Sequence, residues 1–99
     1  MKTNYDNRFN GTSFFFTIIR ATVEEITSVL GEPIHSSNDG EDKTNFEWIG
    51  ETSNGEVFTV YDWKEYRRLK KTEMIDWHIG GHDKISTVNA KHELLEKIR

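Results

Sequence analysis

The sequence predicts an α+β fold: a four-stranded, mainly antiparallel sheet with two helices, in the order β-α-β-β-β-α. Three observations predict it. An aromatic and β-branched run leads into a capped amphipathic segment. Two alternating runs flank an Asn-Gly pair. A last strand-like run closes on two glycines and gives way to a second helical stripe. Adjacent strands with short links and helices outside them pack as α+β.

Residues 1–12 are polar and read as a loose lead-in. Ser13 to Arg20 reads as a strand. Alternation puts Phe14, Phe16 and Ile18 on one face and Phe15, Thr17 and Ile19 on the other. Both faces are largely apolar, which predicts a central strand or one covered by helices. Thr22-Val23-Glu24-Glu25 is a capping box: the hydroxyl bonds the N3 amide while Glu25 reaches back. Val23, Ile26 and Leu30 follow at helical spacing, Gly31 suits the C-terminal position, and Pro33 blocks continuation. A helix over about 22–30 results. Residues 35–42 form a polar loop without periodicity.

Lys43 to Ile49 and Glu56 to Trp63 read as paired strands, linked by 50–55 with Asn54-Gly55 as the turn. Residues 64–73 are a charged connection. Met74 to Ile79 is the fourth strand, closed by Gly80-Gly81. A helix over about 86–98 ends the chain, with Ser86 or Thr87 as N-cap. Val88, His92, Leu95 and Ile98 fall near one stripe.

At 99 residues the chain holds one domain, 1–99. No apolar run approaches the roughly 20 residues of a membrane helix, so no membrane association is expected. The first seven residues carry no apolar core, so no signal peptide is expected. The chain has no cysteine, which excludes disulfides, thiolate zinc and a cysteine nucleophile and fits a cytoplasmic setting.

The net charge of −4 argues against a protein that coats long nucleic acid. Residues 1–63 hold 11 acids and 4 bases, whereas 64–99 hold 6 acids and 9 bases. Lys64, Arg67, Arg68, Lys70 and Lys71 crowd together with Glu65 alone opposing them. Such a patch on an acidic body suits a small anionic ligand or an acidic partner surface better than long DNA, and its plainer reading is a solvated, charged loop.

Two stretches carry candidate chemistry. In Tyr61-Asp62-Trp63-Lys64-Glu65-Tyr66-Arg67-Arg68, Trp63 and Tyr66 offer flat rings for a base. Lys64, Arg67 and Arg68 offer charge, and the arginines a planar fork, for phosphate. The same stretch also reads as a strand that buries Tyr61 or Trp63 and leaves by a charged exit. In Trp77-His78-Ile79-Gly80-Gly81-His82-Asp83-Lys84, the two glycines can present amides to an anion, with His78, His82 and Lys84 as donors and Trp77 as a further ring. Its plainer reading is a strand end and a glycine turn. Neither stretch has the spacing of a dinucleotide fold or a P-loop.

His78 and His82 lie four apart across glycines, and His35 and His92 are scattered, so no metal is expected. No GxSxG elbow is present, and no cofactor is expected. The run Phe14-Phe15-Phe16 reads as core rather than as a ligand platform.

Over residues 56–82, through Phe58-Thr59-Val60-Tyr61-Asp62-Trp63-Lys64-Glu65-Tyr66-Arg67 and Trp77-His78-Ile79-Gly80-Gly81, the sequence resembles small, mostly uncharacterised proteins of tailed phages. That resemblance implies an anti-defence role in the host cytoplasm. Proteins of this kind either sequester nucleotide-derived immune signals or plug a defence protein's active surface.

The first expectation is therefore a non-enzymatic binding protein for a small anionic, nucleotide-derived ligand. In a chain this short, its sites would lie between subunits of a homo-oligomer. The alternative is a protein-interaction module that inhibits a host protein through acidic segment 39–56, with Asp39, Glu41, Asp42, Glu47, Glu51 and Glu56. A small hydrolase or lyase acting on the same ligand is the enzymatic alternative.

Overall fold

The computed structural model describes residues 1–3, 9–41 and 43–98. Its strands are β1 (Lys2–Thr3), β2 (Ser13–Ala21), β3 (Glu47–Glu51), β4 (Val57–Tyr61) and β5 (Ile75–Gly81). Helix α1 (Val23–Leu30) follows β2, and α2 (Lys84–Ile98) follows β5. The α+β order β-α-β-β-β-α is thus present, with the short β1 added at one edge. The sheet runs β1-β3-β4-β5-β2, and every neighbouring pair is antiparallel.

The sequence signals act as expected at α1. The Thr22 hydroxyl accepts from the Glu25 amide at 3.0 Å, and the Glu25 carboxylate accepts from the Thr22 amide at 2.9 Å. Two of the orphan donors at the helix start are thereby satisfied. The β3–β4 turn is closed by Gly55 at φ +83°, whose amide donates to the Thr52 carbonyl. That left-handed backbone is the reason the sequence places glycine after Asn54.

The start of α2 differs from expectation. Asp83, not Ser86 or Thr87, caps it: one carboxylate oxygen accepts from the Ser86 amide at 2.7 Å and from its hydroxyl at 2.6 Å. The helix therefore begins at Lys84, and Ser86 and Thr87 sit buried in its first turns. Thr87 hydrogen-bonds Thr17 of β2 at 2.6 Å. The buried side of α2 is consequently Thr87, Ala90 and Leu94. Of the expected stripe, Leu95 and Ile98 border the core and His92 is exposed.

Both helices lie on one face of the sheet, α2 across β2, β4 and β5 and α1 against α2 and β3. Between them and the sheet lie Ile19, Ile26, Leu30, Trp48, Phe58, Val60, Trp77, Ile79 and Leu94, all almost fully buried. Each such aliphatic or phenyl side chain contributes about 1.5–3 kcal/mol by leaving water. The two indoles meet edge-on at 5.3 Å. Their N–H groups donate to the carbonyls of Gly31 and Ala21, so neither is a buried donor without an acceptor.

Of the two expectations for β2, a central place or a helix cover, the second holds, on one face. The strand forms a sheet edge, and Thr17, Ile19 and Ala21 are its buried side chains. The register to β5 shifts between Phe14 and Thr17, a bulge that still leaves Phe14 and Ile18 on one face and Thr17 and Ile19 on the other, as alternation predicts. Among the described residues, no helix is long and apolar enough to cross a membrane.

Candidate ligand-binding face

The site is built on the sheet face away from the helices. Registers across β2, β5, β4 and β3 align Ile18, His78, Tyr61 and Glu47 in one cross-strand row. Around that row the rings gather. Phe14 stacks on His78 at 4.0 Å and 10°. Tyr61 meets His78 edge-on at 5.4 Å, and Trp63 stacks on it at 6.2 Å and 28°. Phe16 extends the cluster beyond Phe14 at 5.2 Å. Phe16 is 83% exposed and Trp63 41% exposed, so the two ends of the cluster face solvent.

Trp63 faces out because Asp62 faces in. The Asp62 carboxylate is fully buried and accepts from the amides of Asn45 and Phe46 and from the Asn45 side chain, at 2.7–3.0 Å. Just beyond the end of β4, the next side chain, Trp63, lies 41% exposed on the other side. Asn45 also donates to the Arg67 carbonyl, and Asn38 exchanges two hydrogen bonds with the Leu69 backbone. These bonds stitch the loop before β3 to the segment after β4. The Lys64 amide donates to the Lys43 carbonyl at 2.7 Å. Both ammonium groups are thereby brought to the Trp63 ring, at 5.7 Å for Lys43 and 5.6 Å for Lys64.

Burial lowers the His78 pKa, which favours the neutral imidazole. Burial raises the Tyr61 hydroxyl, and the Glu47 charge adds to that rise. Burial also raises the Glu47 carboxyl, opposed by the charge of His35. The positive charge of this face therefore comes from lysine, beside neutral rings.

Only part of the sequence-derived residue set assembles here. Trp63, Lys64 and His78 do. Trp77 does not: it is 0% exposed, and both ring faces belong to the core, because in β5 it alternates with His78. Gly80 and Gly81 are strand residues paired with β4 and β2 rather than a turn, so their amides belong to the sheet. Gly81 faces α2, where a Cβ would lie 2.9 Å from the Thr87 methyl.

Arg67 is committed to Glu73 through two hydrogen bonds at 2.9 and 2.6 Å, with Glu65 at 3.8 Å. The Lys84 ammonium donates to the Phe15 carbonyl at 2.8 Å and so props the β2 bulge. Tyr66, Arg68 and His82 are exposed, and Tyr66 makes no ring contact with the cluster. Lys43, Phe14 and Phe16 are the residues that sequence reasoning left out, and Tyr61, part of the first candidate stretch, joins the cluster. The phenylalanine run, expected in the core, supplies two of the five rings of the cluster, Phe14 and Phe16.

Acidic segment 39–56 does not present a continuous exposed surface. Glu51 is buried, Glu56 accepts from the Asn89 side chain, and Asp39 accepts from the Glu41 amide. Asp42 lies outside the described residues. A separate groove of about 540 Å³ runs between α1 and the 32–38 segment, lined by Val23, Glu24, Glu32, Phe46 and Lys71 among others. Two carboxylates against one ammonium make it a poor seat for an anion. Among the described residues, no three histidine or carboxylate side chains gather where they could hold a metal ion.

No protein family, curated protein or solved structure matches this chain.

Proposed function

We propose that this protein binds and retains a small anionic ligand of nucleotide type on the helix-free face of its sheet, without transforming it. The observation that supports this reading is the half-exposed Trp63 ring, backed by His78, with two lysine ammonium groups beside it. A base gains about 1–3 kcal/mol by stacking on such a ring, with little dependence on its identity. Lys43 and Lys64 sit on flexible stems and can turn toward the phosphate once a base covers the indole. Retention rather than turnover is favoured because His78, the group at the centre, is packed against the Phe14, Tyr61 and Trp63 rings. A protein that only retains its ligand acts by stoichiometry. That is the behaviour implied by the resemblance to small tailed-phage proteins that sequester nucleotide-derived signals.

Trp48 and Trp77 are both 0% exposed, so quenching of tryptophan fluorescence by a surface ligand reads Trp63. Titration with AMP should quench the emission saturably. W63A should abolish both the quenching and the calorimetric heat. K43A/K64A should weaken binding and flatten its dependence on salt. No saturable binding of AMP, GMP, CMP or UMP by either method overturns the proposal.

A further inference from the structure

Phe16 stands out on the same face. It is a bulky residue at φ +67°, a backbone region that disfavours side chains of its kind, and it is 83% exposed. Burial therefore does not explain why a phenyl ring occupies this position. The bulge that carries it is held from outside its own strand, by the Lys84 ammonium on the Phe15 carbonyl. A strained and exposed ring, maintained by a dedicated contact, is the pattern of a functional position. It lies at one end of a continuous ring path, Phe16 to Phe14 to His78 to Trp63, with centroid steps of 5.2, 4.0 and 6.2 Å. The two interior rings cover each other, and the two terminal rings are open. The open rings make no ring contact with each other and are joined only through the two packed rings between them.

From this we infer that the ligand carries two bases joined through phosphate, one stacking on Trp63 and the other on Phe16, with the linkage passing over the Phe14–His78 pair. The inference rests on the nucleotide reading of the face proposed above. A linear dinucleotide and a cyclic dinucleotide share this chemistry, and the test separates them.

Calorimetry on the full-length protein with AMP, linear pApA and cyclic di-AMP provides the test. At least one two-base ligand should bind about fivefold or more tightly than AMP, the lower limit of one further stacked base. Whichever gains more identifies the linkage. F16G relieves the backbone and removes the ring, and in a variant shown folded by circular dichroism it should erase that gain. Equal affinity for AMP and both two-base ligands overturns the inference and leaves the single-base proposal standing. No binding of any of the three overturns both. A gain that survives in F16G overturns the role of Phe16. So does a self-association, read by native mass spectrometry, that F16G dissolves without changing ligand affinities, since Phe16 would then serve a second copy of the chain.

Discussion

The strain at Phe16 can be measured without any ligand, by comparing alanine and glycine at that position. A residue with a Cβ held at φ +67° costs about 1–2 kcal/mol relative to its ordinary conformations, and glycine almost nothing. Glycine loses more chain entropy on folding, which ordinarily makes it 0.5–1 kcal/mol less stable than alanine within a strand. The two effects oppose each other, and the first is larger. F16G should therefore exceed F16A in stability by about 0.5–1 kcal/mol, reversing the usual order. For a domain of this size that corresponds to about 2–8 °C in Tm. Both variants lose the tilted contact with Phe14 at 5.2 Å, about 0.5–1.5 kcal/mol. They lose little buried area, because the ring is exposed. F16G should consequently lie near the parent and F16A below it. Thermal unfolding followed by circular dichroism, on the parent and both variants, decides the matter. An alanine variant as stable as the glycine variant, or more so, refutes the argument that the bulge strains its phenylalanine.

Three further outcomes follow from the packing. D62A leaves the amides of Asn45 and Phe46 and the Asn45 side chain without their buried acceptor, and should cost about 3–5 kcal/mol in urea unfolding; a loss under about 1 kcal/mol would show that water replaces the carboxylate. G50A should cost about 1–3 kcal/mol by the same measurement, because the new methyl would lie 2.5 Å from the Phe58 ring and 3.0 Å from Leu30, both in the closed core. His78 carries a pH dependence: its pKa is lowered in the fold, so below the ordinary value of 6.5 the unfolded chain takes up more protons and stability falls as pH falls. H78Q should flatten that decline between pH 7 and 5.5, and identical slopes in parent and variant would exclude His78 as its source. Glu47 acts oppositely, since its raised carboxyl favours the folded state as pH falls toward 4.5, and it is common to both proteins.

The order of elements was legible because each carried a local physical signal: a reciprocal cap at Thr22 and Glu25, a turn requiring positive φ at Gly55, and alternation in β4. Strand β1 was not, since two residues carry no period. The start of α2 was misplaced because Asp83, Ser86 and Thr87 can all cap a helix, and only packing against Thr17 decides that Thr87 is interior. The site was half legible. Trp63 and Trp77 look alike in sequence, each following an aspartate within a strand-like run. Asp62 bonds inward and sends Trp63 out, whereas Asp76 pairs with Arg20 on the helix-free face and sends Trp77 in. The bulge that exposes Phe16 leaves no trace in a run of three identical residues, any register of which alternates equally well.

One polar residue links the stability of the fold to the geometry of the face. Asn45 is fully buried and joins three segments: it donates to Asp62 and to the Arg67 carbonyl, and it accepts from the Gly40 amide. Among the described residues, 36–41 and 43–44 of the loop before β3 lie in no helix or strand, and these bonds, with those of Asn38 to Leu69, hold that loop against the 64–69 segment. Lys43 and Lys64 reach Trp63 from the two sides of that seam. Loosening the seam separates the two ammonium groups without touching either lysine or the ring. The cations that would meet a phosphate are therefore set in place by buried amide and carboxylate groups rather than by surface ion pairs. Such groups are fully satisfied here, and their low-dielectric setting makes their geometry hard to relax. Arg67, one of the three cations the sequence assigns to phosphate, is excluded from the face by the same segment, which turns its guanidinium to Glu73 while its carbonyl serves Asn45.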